Sequence, residues 1–176
     1  MDLFLQFLVN GLVSGVFYAL SALGLTLIFG IMRVVNFAHG EFYMMGGLIG
    51  WFVTSRLGLD FFSGLLLVAA TMAIFGWLVD RVLIERIRDQ GEEPGILLTI
   101  GLSIFIVNTA LLIAGTVPQK VPAPFGDMPL FLGPIVLTKL RLFAVGCCAL
   151  TMIAAHLLIR RTRLGRAMRA TFQDPM

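Results

Sequence analysis

Charge is what this sequence has least of. Of its 176 residues 13% are charged, against about one quarter in an ordinary soluble domain, and no charged residue stands between Leu3 and Met32. A water-soluble fold cannot hide the 59% of residues that are hydrophobic, and a mean hydropathy of +0.96 points to lipid as the solvent. Cysteine is nearly absent too. Cys147 and Cys148 are adjacent within an apolar run, which excludes a disulfide framework and a metal site built from cysteines. No basic residue precedes Arg33, so the positive start of a cleaved signal peptide is lacking and the first helix is expected to stay in the mature protein. There is no H-E-x-x-H, no G-x-S-x-G and no Walker A lysine motif. Catalysis within the chain is therefore not expected, and neither a cofactor nor a metal is implied; if ATP drives its work, another subunit must hydrolyse it.

The charge that is present is placed unevenly. Net charge is +3 and the pI about 9.3, but five of the 13 basic residues fall between Arg160 and Arg169, directly after an apolar segment. That placement is a membrane-topology signal, and without a basic patch beside aromatic residues no nucleic-acid partner is expected. The fold class predicted is all-α, a single polytopic bundle of about five transmembrane helices at 3–32, 34–55, 61–79, 95–117 and 142–159, with a cytoplasmic tail at 160–176. The first segment is long: about 45 Å as a helix, against about 30 Å of hydrocarbon. The second is short, because its uncharged part, Phe42 to Ser55, covers only about 21 Å. To cross it must begin near Val34 and draw Asn36, His39 and Glu41 to membrane depth; otherwise it is re-entrant. Five prolines mark 116–138 as an irregular extracytoplasmic loop, and its apolar stretch Pro129 to Leu137 is placed to dip into the interface. Across five spans, nine Lys and Arg lie on one side and four on the other, which predicts an N-terminus outside and a C-terminus in the cytoplasm.

Polar residues inside such segments are the candidates for function, since ionisable groups at membrane depth are costly and usually face a bundle interior or a watery path. The run Asn36-Phe-Ala-His-Gly-Glu41 is the richest cluster. One reading makes Asn36 a helix cap and Glu41 a complement to the helix dipole; the other has Asn36, His39 and Glu41 line a substrate path, and the two are compatible. His39 and Glu41, two apart, point to different helical faces, unlike the paired histidines of a zinc helix. Thr99, Ser103 and Asn108 either line the same path or make interhelical hydrogen bonds. Gly11/Gly15 and Gly46/Gly50 have the spacing that lets helices approach closely. In the tail, Leu164, Ala167 and Met168 recur at helical spacing among arginines that also suit lipid headgroups, so a short helix that docks a soluble partner is a second reading of that segment.

Three stretches taken together are similar to one known family. Leu23 to Gly47 (LGLTLIFGIMRVVNFAHGEFYMMGG), Glu85 to Phe105 (ERIRDQGEEPGILLTIGLSIF) and Thr162 to Pro175 (TRLGRAMRATFQDP) resemble the permease subunits of bacterial branched-chain amino acid ABC importers, of the LivH type. The resemblance implies a multi-pass protein of the bacterial inner membrane that pairs with a second permease subunit. It further implies two cytoplasmic ATPase subunits and a periplasmic substrate-binding protein that delivers Leu, Ile or Val. Relatives that import urea or short-chain amides share much of the pattern. By the same resemblance Gly165, Arg166 and Arg169 match the start of the loop that couples to the ATPase. Members of the family continue well past this motif, so a C-terminal truncation is expected, with a non-transporting remnant or scaffold as the alternative it opens.

Overall fold

The computed structural model describes residues 2–32, 35–87, 90–124, 128–133, 135–163 and 165–168. Five helices and one hairpin follow in order: α1 (Asp2–Met32), α2 (His39–Ser55), α3 (Phe61–Val79), α4 (Glu92–Ala114), strands β1 (Pro129–Leu132) and β2 (Ile135–Thr138), and α5 (Lys139–Arg161). The all-α polytopic reading holds. Among the described residues four segments are long and apolar enough to cross a membrane: Leu3–Gly30, Phe61–Ile84, Glu93–Ala114 and Lys139–Arg161.

Helix α2 is the exception. It begins at His39, later than the start near 34 that a full span needs, and its 17 residues cover about 25 Å. The late start has a local cause. The Asn36 side chain accepts a hydrogen bond from the Ala38 N–H at 3.0 Å, and the Asn36 carbonyl accepts from His39 N–H at 3.2 Å. These bonds close a turn that competes with helix at this point, as Asn does elsewhere. Val34 lies outside the described residues.

The other ends follow from sequence in the same way. Asp60 caps α3, its carboxylate accepting from the Phe62 N–H at 3.1 Å. Beyond Val79 the helix widens into a π-turn, Asp80–Ile84, closed by Glu85 N–H to Asp80 carbonyl at 2.9 Å and braced by the Arg81–Glu85 ion pair. Helix α4 starts after Gly91, holds Pro94 in its first turn where a missing N–H does no harm, and stops at Gly115 with φ +73°. The proline-rich segment is not wholly irregular. Its apolar stretch forms an antiparallel hairpin pairing Pro129 with Thr138 and Leu132 with Ile135, turned at Gly133 with φ +62°.

The chain divides into two compact units, Met1–Ile31 with Phe125–Met176, and Met32–Pro124. Within the second, α2 packs on both α3 and α4. Gly46 and Gly50 of α2 face Met72 and Val68 of α3, and Gly64 of α3 abuts Thr54, where an added Cβ would come within 3.2 Å. Phe42 meets Phe75 edge to face, centroids 5.6 Å apart. Gly11 and Gly15, by contrast, have no such neighbour within 4 Å among the described residues. Among the described residues few apolar side chains are buried, while Leu112 is 87% exposed and Ile113 76%. Such side chains require lipid or other helices around them.

Candidate functional site

Two polar side chains are buried among the described residues, Asn36 and Thr99, and both belong to one junction where the turn before α2 meets α4. Thr99 is 1% exposed. Its hydroxyl lies 3.2 Å from the Val35 carbonyl and 3.0 Å from that of Gly95 in its own helix. Val35 stands outside any helix, and the Thr99 hydroxyl, also 3.1 Å from the Ile96 carbonyl, is the donor that reaches it from α4. One turn further along α4 the hydroxyl of Ser103 donates to Glu41 Oε1 at 2.7 Å, an ordinary length for a hydroxyl donor. Asn36 fixes the turn, Glu41 holds α4, and Thr99 holds the turn against α4. The sequence brings this about because Thr99 and Ser103 are four apart, on one face of α4.

Glu41 Oε2 is the group that departs from an ordinary fastening. It is buried and has no hydrogen-bond partner among the described residues. Leaving a buried polar atom unpaired costs about 1–3 kcal/mol, more when it is charged, so the junction retains an acceptor that its own stability does not use. Beyond this pair the same two helices border an apolar cleft of about 440 Å³, lined among others by Met45, Leu48 and Phe52 of α2, Phe75 of α3, and Ile106 and Ala110 of α4.

Of the residues singled out from sequence, Asn36, His39, Glu41, Thr99 and Ser103 fall in or beside this junction. His39 opens α2 and is half-buried. Asn108 does not join them: it is exposed, and its amide donates to the Ile104 carbonyl of its own helix at 2.7 Å. In the tail, Thr162 ends α5 and starts a second helical turn. Its side chain accepts from the Gly165 N–H at 3.1 Å and its carbonyl from Arg166 N–H at 3.2 Å. Gly165 is buried, and a Cβ there would fall on the backbone carbonyl of Ile159. Arg166 is exposed, and Arg169 and Leu164 lie outside the described residues.

One polar network escaped the sequence reading. Gln6 of α1 receives and returns a hydrogen bond with the backbone of Val136, accepting from its N–H at 2.8 Å and donating to its carbonyl at 2.9 Å. Asn10 accepts from Arg141 at 3.2 Å. The amide of Gln6 thus behaves as a one-residue strand on the outer edge of β2. The signal was present: the two side-chain amides of the 31-residue helix stand at i and i+4, on one face.

Residues 7–176 match the family described as branched-chain amino acid transport system / permease component. Among curated proteins, the chain is 34% identical over 183 residues to the high-affinity branched-chain amino acid transport system permease protein BraD of Pseudomonas aeruginosa, covering 97% of this chain and 60% of that protein. It is 34% identical over 187 residues to the corresponding permease protein LivH of Escherichia coli, covering 97% and 59% respectively, and 33% identical to LivH of Salmonella typhimurium with the same coverage. The chain therefore spans about 60% of the length of these relatives. No solved structure matches it.

Proposed function

The chain belongs to the branched-chain amino acid transport system / permease component family, and from that premise we propose that it is the membrane-spanning subunit of an ABC importer for branched-chain amino acids. Family membership and the four long apolar helices make it a multi-pass inner-membrane protein. In the proposed assembly a second permease completes the path, a periplasmic binding protein delivers the amino acid, and two cytoplasmic ATPase subunits hydrolyse ATP. The chain is not itself an enzyme. Its N-terminus is periplasmic and its C-terminus cytoplasmic, which requires α2 to cross the membrane. A helix of 17 residues falls short of the hydrocarbon by about 5 Å, a mismatch that local thinning meets at a fraction of a kcal/mol per Å.

The observation that carries the reading is the 34% identity to named permeases across 97% of the chain. The junction supports it. Asn36, His39, Glu41, Thr99 and Ser103 tie α2 to α4 so that the two move as one wall of the path, while Gly165, Arg166 and Arg169 belong to the segment that couples to the ATPase, with the exposed Arg166 free to meet it. ATP supplies direction by binding one state of the assembly better than the other, since a ligand shifts an equilibrium only by its preference between states. The test is uptake of labelled leucine in a strain lacking its own branched-chain permease and supplied with this chain and its partner subunits. Leucine-selective, ATP-dependent uptake supports the reading; uptake of urea in its place, or of neither, refutes it.

A further inference from the structure

We infer that the cleft between α2 and α4, headed by Glu41, is a binding site for an aliphatic ammonium compound, and, resting on the permease reading above, that its occupant is a branched-chain amino acid. On α2, Glu41, Met45, Leu48 and Phe52 follow at i, i+4, i+7 and i+11, one continuous stripe of the helix. On α4, Ser103, Ile106 and Ala110 stand on the face that meets it. The pair Glu41–Ser103 therefore sits at the head of the same two surfaces that line the cleft. One helical turn, about 5.4 Å, separates the carboxylate's residue from the first apolar lining residue. That is the scale on which an α-amino acid separates its ammonium from the end of its side chain.

The two ends ask for different chemistry. A carboxylate only accepts hydrogen bonds, and Oε2 is buried without a partner among the described residues, so its complement is a cationic donor. The cleft asks for the opposite. Its lining is apolar, and Thr109, the one hydroxyl on it, already donates to the Phe105 carbonyl at 2.8 Å. A polar side chain would be desolvated there without compensation, whereas an isobutyl group loses nothing. Its volume of about 440 Å³ is in the range of small-molecule sites. Urea, with neither a cation nor an apolar arm, matches neither end. Binding requires Glu41 to turn Oε2 toward the cleft while Oε1 keeps the bond from Ser103, a change of side-chain rotamer.

The chain carries two tryptophans, Trp51 and Trp77; Trp51 lines the cleft and Trp77 does not. The full chain with Trp77→Phe, in nanodiscs of phosphatidylcholine and phosphatidylglycerol, therefore reports occupancy through Trp51 fluorescence. L-leucine and 3-methylbutylamine, which share the ammonium and the branched arm, are expected to change it saturably. 4-Methylpentanoate, which lacks the ammonium, and urea are not. Glu41→Gln keeps an acceptor for Ser103 and removes the charge, and leucine affinity is expected to fall about 10- to 100-fold, with thermal stability in the same nanodiscs unchanged. Equal affinity in Glu41→Gln, or 4-methylpentanoate competing as well as the amine, overturns the assignment. So does quenching of Trp51 by brominated acyl chains that leucine fails to relieve, which would make lipid the occupant, or a Trp51 signal blind to leucine altogether. Leucine uptake by the assembled transporter is scored separately: uptake that persists in Glu41→Gln refutes this site and leaves the permease reading standing.

Discussion

Two polar fastenings hold apolar helices in this protein, and they are built on different terms. At the Gln6 latch every partner is neutral or at the surface, and the amide and the Val136 backbone satisfy each other reciprocally. At the α2/α4 junction the central group is a carboxylate, one of whose oxygens is held by Ser103 while the other is buried with no hydrogen-bond partner among the described residues. A charge strengthens such a bond but adds a desolvation cost, so a buried carboxylate is an expensive fastening where a neutral pair would serve. The latch is thus explained by stability alone, and the junction is not. An unused acceptor in so costly a place is the ground for the proposal that Glu41 meets a further group during work.

Substitutions sharpen this contrast by the size of their effects. Ser103→Ala has the largest, because it leaves the Glu41 carboxylate without its donor; a loss of about 1.5–3 kcal/mol is expected, read as a lowered unfolding temperature in detergent. Thr99→Val follows. It strips the Val35 carbonyl of its partner at a site 1% exposed, with an expected cost of about 1–3 kcal/mol and earlier proteolysis of the turn before α2. Gln6→Ala should cost about 0.5–1.5 kcal/mol, since water or headgroups replace the amide at the exposed edge of β2, and hydrogen exchange at the Val136 amide should quicken. Asn108→Ala is the floor of the series, within about 0.5 kcal/mol of wild type, because among the described residues that exposed amide bonds within its own helix. A latch substitution that outweighed the junction substitutions would reverse the comparison.

Much of this fold can be read from the chain because lipid simplifies the code. Long uncharged runs announce α1, α3, α4 and α5, and α3 ends at the predicted Val79 before its π-turn. Helix α4 was shifted by three residues at each end. Pro94 is tolerated in its first turn and Gly115, at positive φ, stops it, details that hydropathy does not carry. The hairpin was obscured by its prolines, although the run Ile135 to Thr138 has the β-branched character of a strand. At the junction, Asn36, Glu41, Thr99 and Ser103 were visible as polar residues at depth. Their pairing was not: Glu41 meets Ser103 across 62 positions of chain, and only tertiary packing brings them together. Gly165 was visible through its motif alone, while the reason it must be glycine, the Ile159 carbonyl, is purely spatial.

Whether Glu41 is more than a fastening is tested most directly by the initial rate of labelled-leucine uptake by Glu41→Gln in the proposed transporter assembly. Gln retains an acceptor for Ser103 and fits the same space, so assembly should be preserved while uptake falls at least about tenfold, the equivalent of one charge-assisted hydrogen bond. Wild-type uptake in that variant would contradict the account and reduce the junction to packing.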